Sequence, residues 1–284
     1  MGSKSNKGVS YSVVAILMVI AFAVGAGAGV GGWIYVMGGS GEASRSVDDV
    51  IAEIDNTDDS TDAQVVDDTT TADDTATSDD TTTADDTTTS DDTSPETTAA
   101  SEPMSFSIVG EQSEASFTLE EDLRGVRTTV VGVTNEVGGT INVDMANPSA
   151  STIGTIVVNA RTLETDNDFR NRALRSDILK AAQDDFEFII FEPTSLDNFS
   201  AESVAVGDTL TFDITGDLTI TGITQSVTFN ASVIVDSDTQ ISGTATTNVL
   251  YADYGLSIPS VPSVANVTED VDLVLTFVAT AADS

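Results

Sequence analysis

Beyond residue 105 the chain alternates apolar and polar positions with a period of two. Leu210, Phe212 and Ile214 alternate with Thr and Asp, and the same pattern occurs at 115–119, 141–145, 227–235 and 271–277. This alternation indicates strands that bury one face. Turn-forming residues separate the strands, at Gly138 and Gly139, Asn147 and Pro148, Gly207 and Asp208, and 236–238. Many strands with short turns predict an antiparallel barrel or sandwich.

Residues 161–191 interrupt the alternation. Within 168–182, Phe169, Leu174, Ile178 and Leu179 can share one face of a helix. The segment also carries five of the seven Lys and Arg residues after residue 104: Arg161, Arg170, Arg172, Arg175 and Lys180. A crossover helix with a charged outer face explains most of these charges, and a catalytic element or a ligand gate are the other interpretations.

Residues 13–37 form a run of 25 residues without a charge. About 20 helical residues cross the apolar layer of a bilayer, so we expect a transmembrane anchor here. Lys4 and Lys7 precede the run, which predicts a single-pass protein of the cell membrane. Residues 1–12 would lie in the cytoplasm and the C-terminal domain outside it. A cleaved signal peptide is the alternative. Gly25 and Gly29 fit the spacing of a helix-dimerisation motif, which suggests a homodimer.

Residues 38–104 are rich in Asp and Thr, with Asp pairs recurring every six residues from Asp67 to Asp91. Such a composition buries too little apolar area to offset the entropy of ordering, so we expect a disordered acidic stalk. Fully extended, its low-complexity part at 57–100 would reach on the order of 150 Å. The remaining residues, 105–284, form the predicted barrel domain.

The composition excludes several functions. The net charge of −37 argues against a nucleic-acid partner, because phosphates would be repelled. The chain has no His and no Cys, which removes a Ser-His-Asp triad, thiol nucleophiles and the usual zinc ligands. We therefore expect no enzyme, no catalytic residue, no metal and no cofactor. Carboxylate-only hydrolysis remains open, although neighbouring acids on a strand point to opposite faces.

Five sequence segments, in order, resemble the YceI-like family of lipocalin-like polyisoprenoid-binding proteins. They are VVGVTNEVGGTINVD ending at Asp144, RNRALRS at 170–176, FEFIIF at 186–191, GDLTITG at 216–222 and DYGL at 253–256. The resemblance spans roughly residues 105–281. It departs from the family pattern at Ala173, where the family has His, and at Tyr251, where it often has Arg.

The resemblance implies an all-β, extended antiparallel lipocalin-like barrel of about eight strands with one short crossover helix. It also implies an isoprenoid lipid partner, a polyprenyl chain or an isoprenoid quinone, in an apolar lumen. We expect the ligand to contact Arg172 and Arg175 through its head group and these apolar residues along its chain: Phe117, Ile156, Val158, Phe188, Phe191, Phe212, Phe229, Leu273 and Phe277. The alternative for the apolar residues is that they only pack in the core. The alternative for the two arginines is that they lie on a helix face exposed to solvent.

Besides carboxylate-only hydrolysis, two non-enzymatic functions remain open at this level. The first is a membrane-tethered, extracytoplasmic binding or carrier protein for an isoprenoid-type lipid. The second is a non-enzymatic surface-display or adhesion module whose barrel is filled by its own side chains. Alternation shows that each strand has one apolar face, but it does not show whether that face meets a ligand or other side chains.

Overall fold

A computed structural model describes residues 41–58 and 103–282. Within them thirteen strands form one antiparallel sheet. The strands are β1 (Met104–Ile108), β2 (Glu114–Leu123), β3 (Val126–Thr134), β4 (Val137–Gly138), β5 (Thr140–Val143), β6 (Thr152–Ile153), β7 (Ile156–Asn159), β8 (Phe188–Asp197), β9 (Thr209–Ile220), β10 (Ile223–Ser237), β11 (Gln240–Leu250), β12 (Val264–Ala265) and β13 (Asp270–Ala281).

The sheet curls until its two ends meet. From β7 the pairing runs through β8, β9, β10 and β11 to β13, and β13 pairs with β1 and β2. The run from β3 to β5 closes the circle, because β3 pairs with β2, β5 with β1 and β6, and β4 with β7. Taking β1 with β2, β3 with β4 and β5, and β6 with β7 as broken single strands, and setting aside the two-residue β12, leaves eight antiparallel segments. The predicted all-β antiparallel architecture is confirmed.

Two α-helices accompany the sheet in the described residues, α1 (Val47–Asp58) and α2 (Asp168–Ala173). Asn167 caps α2 by accepting hydrogen bonds from the Phe169 and Arg170 amides. A π-helical turn, Leu174–Ile178, follows α2 directly. Short 3₁₀ turns lie at Gly110–Gln112, Pro148–Ala150, Ala160–Thr162, Asp184–Phe186 and Tyr251–Tyr254. The predicted crossover helix is therefore present but short.

The two ends of the barrel differ in their loops. Because neighbouring segments are antiparallel, the β2–β3 turn, the crossover 160–187, the β9–β10 turn and the loop 251–269 all lie at one end, which we call the crossover end. The loops 144–151, 198–208 and 238–239 lie at the opposite end.

Helix α1 packs on the outside of the barrel, which corrects the prediction of a disordered stalk for residues 41–58. Val47, Val50 and Ile51 are buried against Val157 of β7, and Ile54 packs beside them. Val47 and Ile51 lie 3.1 Å from the place where Gly138 would carry a Cβ, so the glycine admits the helix. Residues 41–58 therefore belong to the folded domain.

The same contact corrects a second expectation. Gly138 and Gly139 were predicted to form a turn, but Gly138 lies in β4 and pairs with Val157. The rest of the predicted stalk, and the predicted membrane anchor at 13–37, lie outside the described residues. Across residues 41–58 and 103–282, no helix combines the length and the apolar character needed to cross a membrane.

Candidate ligand-binding cavity

The barrel encloses a cavity of about 230 Å³, counted as room for the centre of a water molecule. One water needs only about 10–15 Å³ on that measure, so the cavity holds far more than a single water. Its wall is almost wholly apolar, with side chains from β2, β7, β8, β9, β10, β11 and β13. Water inside it would find almost no hydrogen-bond partner, which favours an apolar occupant.

Eight of the nine predicted apolar residues line this cavity. They are Phe117, Ile156, Val158, Phe191, Phe212, Phe229, Leu273 and Phe277. Each occupies an inward position of its strand, as the alternation requires. Phe191 and Phe229 meet edge to face with their ring centres 4.9 Å apart. Aromatic pairs in this geometry add to the stabilisation from burial, so the wall is held in shape without a ligand.

Phe188 is the ninth residue, and its predicted place in the lumen is wrong. Its side chain packs on the outside of the barrel with the cluster that holds α1, and the Arg45 guanidinium lies 5.5 Å above its ring. The inward positions of β8 are Ile189 and Phe191. Phe188 and Phe191 are three residues apart, so a regular strand places them on opposite faces.

Two glycines make room for large rings in the wall. Gly132 pairs with Phe117 across β2 and β3, and a Cβ at Gly132 would overlap the Phe117 ring. Gly243 pairs with Phe277 in the same way, with a Cβ 3.1 Å from the ring. Because glycine has no side chain, each phenylalanine ring can lie over its partner strand instead of filling the cavity.

The crossover closes part of the cavity at one end. Leu163, Leu174, Ile178 and Leu179 line it there, and none of them was predicted to do so. Three of them share the helical face that the sequence pattern indicates. Phe169, the fourth member of that face, is 65% exposed, because α2 ends at Ala173 and the π-helical turn rotates the following residues.

The loop after β11 completes the same end. Tyr251, Tyr254, Leu256 and Ile258 line the cavity, and Leu256, Ile258 and Ile178 of the crossover are partly exposed. The loop and the crossover therefore both cover the cavity at the crossover end. The residues Tyr254 to Leu256 belong to the family-like segment DYGL, which was the available signal for this part of the wall.

Tyr254 is buried at the base of that loop. Its hydroxyl has no hydrogen-bond partner within the described residues. Burial, helped by the charge of Asp253, raises the pKa of Tyr254 to about 12. A buried hydroxyl without a partner destabilises the fold, so this oxygen is a local weakness.

Neither Arg172 nor Arg175 is part of the cavity wall among the described residues. Arg175 is buried in the π-helical turn, and its guanidinium lies close to Gly41, where a Cβ would be 2.8 Å from Nη1. Burial lowers the pKa of Arg175, and the charge of Arg172 lowers it further. Arg175 thus joins the crossover to the N-terminal segment and lies outside the cavity wall.

A buried polar cluster ties the same two segments together. Glu187 has no solvent exposure, and its carboxylate accepts hydrogen bonds from the Ser44 amide at 2.8 Å, the Ser44 hydroxyl and Asn159 Nδ2 at 2.9 Å. Arg161 Nη1 lies 3.1 Å from it, and Arg161 Nε donates to the Ala181 carbonyl. Buried charges require such partners. The sequence pattern did not indicate this cluster.

The chain belongs to the YceI-like domain family, which matches residues 106–279. A UPF0312 protein of Shewanella sp. (strain ANA-3) is 28% identical over 182 residues, covering 62% of this chain and 88% of its own length. A UPF0312 protein of Pseudomonas aeruginosa (strain LESB58) is 30% identical over 148 residues, covering 50% of this chain and 69% of its own. The predicted family is confirmed.

Solved structures with a related shape include BcnA of Burkholderia cenocepacia, with a TM-score of 0.48 and 16% identity over 61% of this chain and 99% of that one. A polyisoprenoid binding domain from Saccharophagus degradans, implicated in plant cell wall breakdown, has a TM-score of 0.48 and 14% identity over 63% of this chain and 99% of that one.

Proposed function

We propose that this chain is a membrane-tethered, extracytoplasmic binding or carrier protein for an isoprenoid-type lipid. The observation that carries the proposal is the cavity of about 230 Å³ with its apolar wall. A hydrocarbon chain gains about 25 cal/mol for each Å² of apolar surface removed from water, so affinity needs no charged contact. Membership of the YceI-like family favours an isoprenoid over other hydrocarbons.

The wall also supports a role in binding rather than catalysis. The chain has no His and no Cys, and the acids of the described residues are not part of the cavity wall. The other function considered from the sequence, a display or adhesion module, assumed a barrel filled by its own side chains. A cavity of about 230 Å³ does not fit that assumption.

The tether rests on the sequence before residue 41. The uncharged run at 13–37 is long enough to span a bilayer, and Lys4 and Lys7 favour a cytoplasmic N-terminus. The barrel would then lie outside the cytoplasm. Protease treatment of intact cells tests this topology, since a barrel that is protected while the membrane stays sealed contradicts it.

Purification in mild detergent followed by organic extraction and mass spectrometry tests the ligand. We expect a prenyl lipid or an isoprenoid quinone in a fixed molar ratio to the protein. Repeated recovery of lipid-free protein from cells that contain such lipids would overturn the proposal.

A further inference from the structure

The positive charges of the described residues all lie at the crossover end of the barrel. They are Arg45, Arg124, Arg127, Arg161, Arg170, Arg172, Arg175 and Lys180. In the loops at the opposite end every charged residue is acidic, among them Asp144, Glu202, Asp208 and Asp238. Although the net charge of the chain is −37, the cations of residues 41–58 and 103–282 are therefore confined to one end of the barrel.

This end is not a simple positive patch, because its loops carry more acids than cations, among them Glu164, Asp166 and Asp168. Arg161 pairs with Asp184, Arg170 with Glu121, and Arg127 with Glu120, each at 2.8 Å. Arg124 and Lys180 are exposed at the rim and form no ion pair with another described residue. Long cationic side chains at a rim can extend their charge to lipid phosphates while their stems cover apolar surface.

Exposed apolar side chains gather at the same end. Val126 and Phe169 are 66% and 65% exposed, the first beside the β2–β3 turn and the second at the start of α2. Ile223 and Leu250, at the ends of β10 and β11, are also exposed. In the described part of the chain, the exposed large apolar residues elsewhere are Val131, Val206 and Ile234. Exposed apolar residues together with exposed cations are typical of a surface that meets a bilayer.

The N-terminal chain also enters the barrel at this end. Gly41 packs beside Arg175, and Ser44 holds Glu187 at the start of β8. The predicted membrane anchor ends at Met37, only four residues before Gly41. Four residues span at most about 14 Å, so a membrane anchor at 13–37 keeps the crossover end close to the bilayer.

The position of α1 determines which parts of the chain the acidic repeat connects. The repeat follows α1 and precedes β1, and both elements are attached to the barrel. It therefore connects two fixed points of one folded domain. A segment in that position cannot act as the spacer between the membrane and the barrel.

We propose that the crossover end of the barrel rests on the bilayer, with the cavity mouth beside Ile178, Leu256 and Ile258 opening toward the lipid. The partner of this surface is a lipid bilayer, and the proposal rests on the proposed function in taking the cavity as the lipid site. In this orientation a lipid enters the cavity without crossing water, and the end whose loops carry no cation faces away from the membrane.

Single cysteines test the orientation cleanly because the chain has no Cys of its own. Full-length chains carrying Phe169→Cys or Val206→Cys are labelled with an environment-sensitive fluorophore and reconstituted in vesicles containing nitroxide-labelled phosphatidylcholine. We expect the probe at 169 to lose most of its emission and the probe at 206 to lose little. Equal quenching at both sites, or quenching at 206 alone, would overturn the proposal.

A second pair guards against a local effect of either substitution. Val126→Cys at the crossover end and Ile234→Cys toward the opposite end should repeat the contrast. Lipid extraction of the same preparations separates the two proposals. Bound isoprenoid with no quenching at 169 or 126 overturns the orientation and supports the lipid site, whereas quenching without bound isoprenoid supports the orientation and contradicts the proposed function.

Discussion

Ser44 and Glu187 are joined by two hydrogen bonds, one from the Ser44 amide and one from its hydroxyl. The two residues are 143 positions apart, and the carboxylate that receives both bonds has no solvent exposure. The N-terminal segment therefore supplies part of the shell that a buried charge requires. Residues 41–58 stabilise the barrel directly, in addition to connecting it to the preceding chain.

Ser44→Ala is expected to lower the free energy of unfolding by about 1–3 kcal/mol, because a buried carboxylate loses one donor. Denaturant unfolding of the full-length chain in mild detergent measures the loss. Ser257→Ala, at an exposed serine in the loop after β11, is the matched control and should change little. Equal effects of the two substitutions would show that the Ser44 hydroxyl does not support Glu187.

Ala245→Phe is expected to reduce lipid binding. Ala245 is buried on β11 and lines the cavity, so a ring there occupies the space of the ligand. Overpacking of this kind costs about 1–3 kcal/mol, and a penalty of about 1.4 kcal/mol on the complex corresponds to a tenfold loss of affinity. Binding of a fluorescent prenyl lipid measures it.

Thr246→Phe provides the control for that variant. Thr246 is the next residue of β11 and is exposed on the outer face, so the same ring enters solvent. We expect unchanged lipid binding in Thr246→Phe. A similar loss in both variants would place the ligand outside the barrel.

Gly132→Ala is expected to destabilise the barrel by about 1–3 kcal/mol, because its Cβ would overlap the Phe117 ring and push it toward the cavity. The same substitution in a Phe117→Leu background should cost much less, since the overlapping ring is gone. Unfolding of the four variants in a double-mutant cycle measures the coupling. Independent, additive effects would contradict the proposed contact.

Tyr254→Phe is expected to stabilise the fold by about 1 kcal/mol near neutral pH, because it removes a buried hydroxyl without a partner. It should also change the response to alkali. The pKa of Tyr254 is raised from 10.0 to about 12, so between these values the folded chain keeps a proton that the unfolded chain releases. The free energy of unfolding therefore falls as pH rises through this range.

Unfolding curves at pH 9 to 12 compare the two chains. The difference in stability between Tyr254→Phe and the parent chain should widen above about pH 10. Tyr251→Phe, in the same 3₁₀ turn, should keep the alkaline loss of the parent chain. A constant difference across the range would mean that the Tyr254 hydroxyl is not buried in the folded state.

Period-two alternation located the strands and most of the cavity wall, because burial of one face is a local property of a strand. The same alternation also shows that Phe188 does not face the cavity, because its spacing of three residues from Phe191 places the two side chains on opposite faces of β8. Helix α1 had a readable pattern as well, since Val47, Val50, Ile51 and Ile54 follow helical spacing. The acidic, Asp-rich sequence that follows α1 hid this pattern.

Other features depend on long-range packing and could not be derived from the sequence pattern. Ser44, Asn159, Arg161 and Glu187 meet only when the barrel has closed, and no local spacing brings them together. The lining residues of the crossover depend on the end of α2 at Ala173 and on the π-helical turn that follows. The hollow interior depends on how all the inward side chains fit, which alternation does not describe.

The most direct test is native mass spectrometry of the full-length chain after incubation with membrane vesicles that contain an isotope-labelled prenyl lipid. The expected result is one labelled lipid bound per chain in the parent and in Thr246→Phe, and markedly less in Ala245→Phe. A parent chain that stays free of labelled lipid, or equal lipid binding by all three chains, would contradict a lipid site inside the barrel.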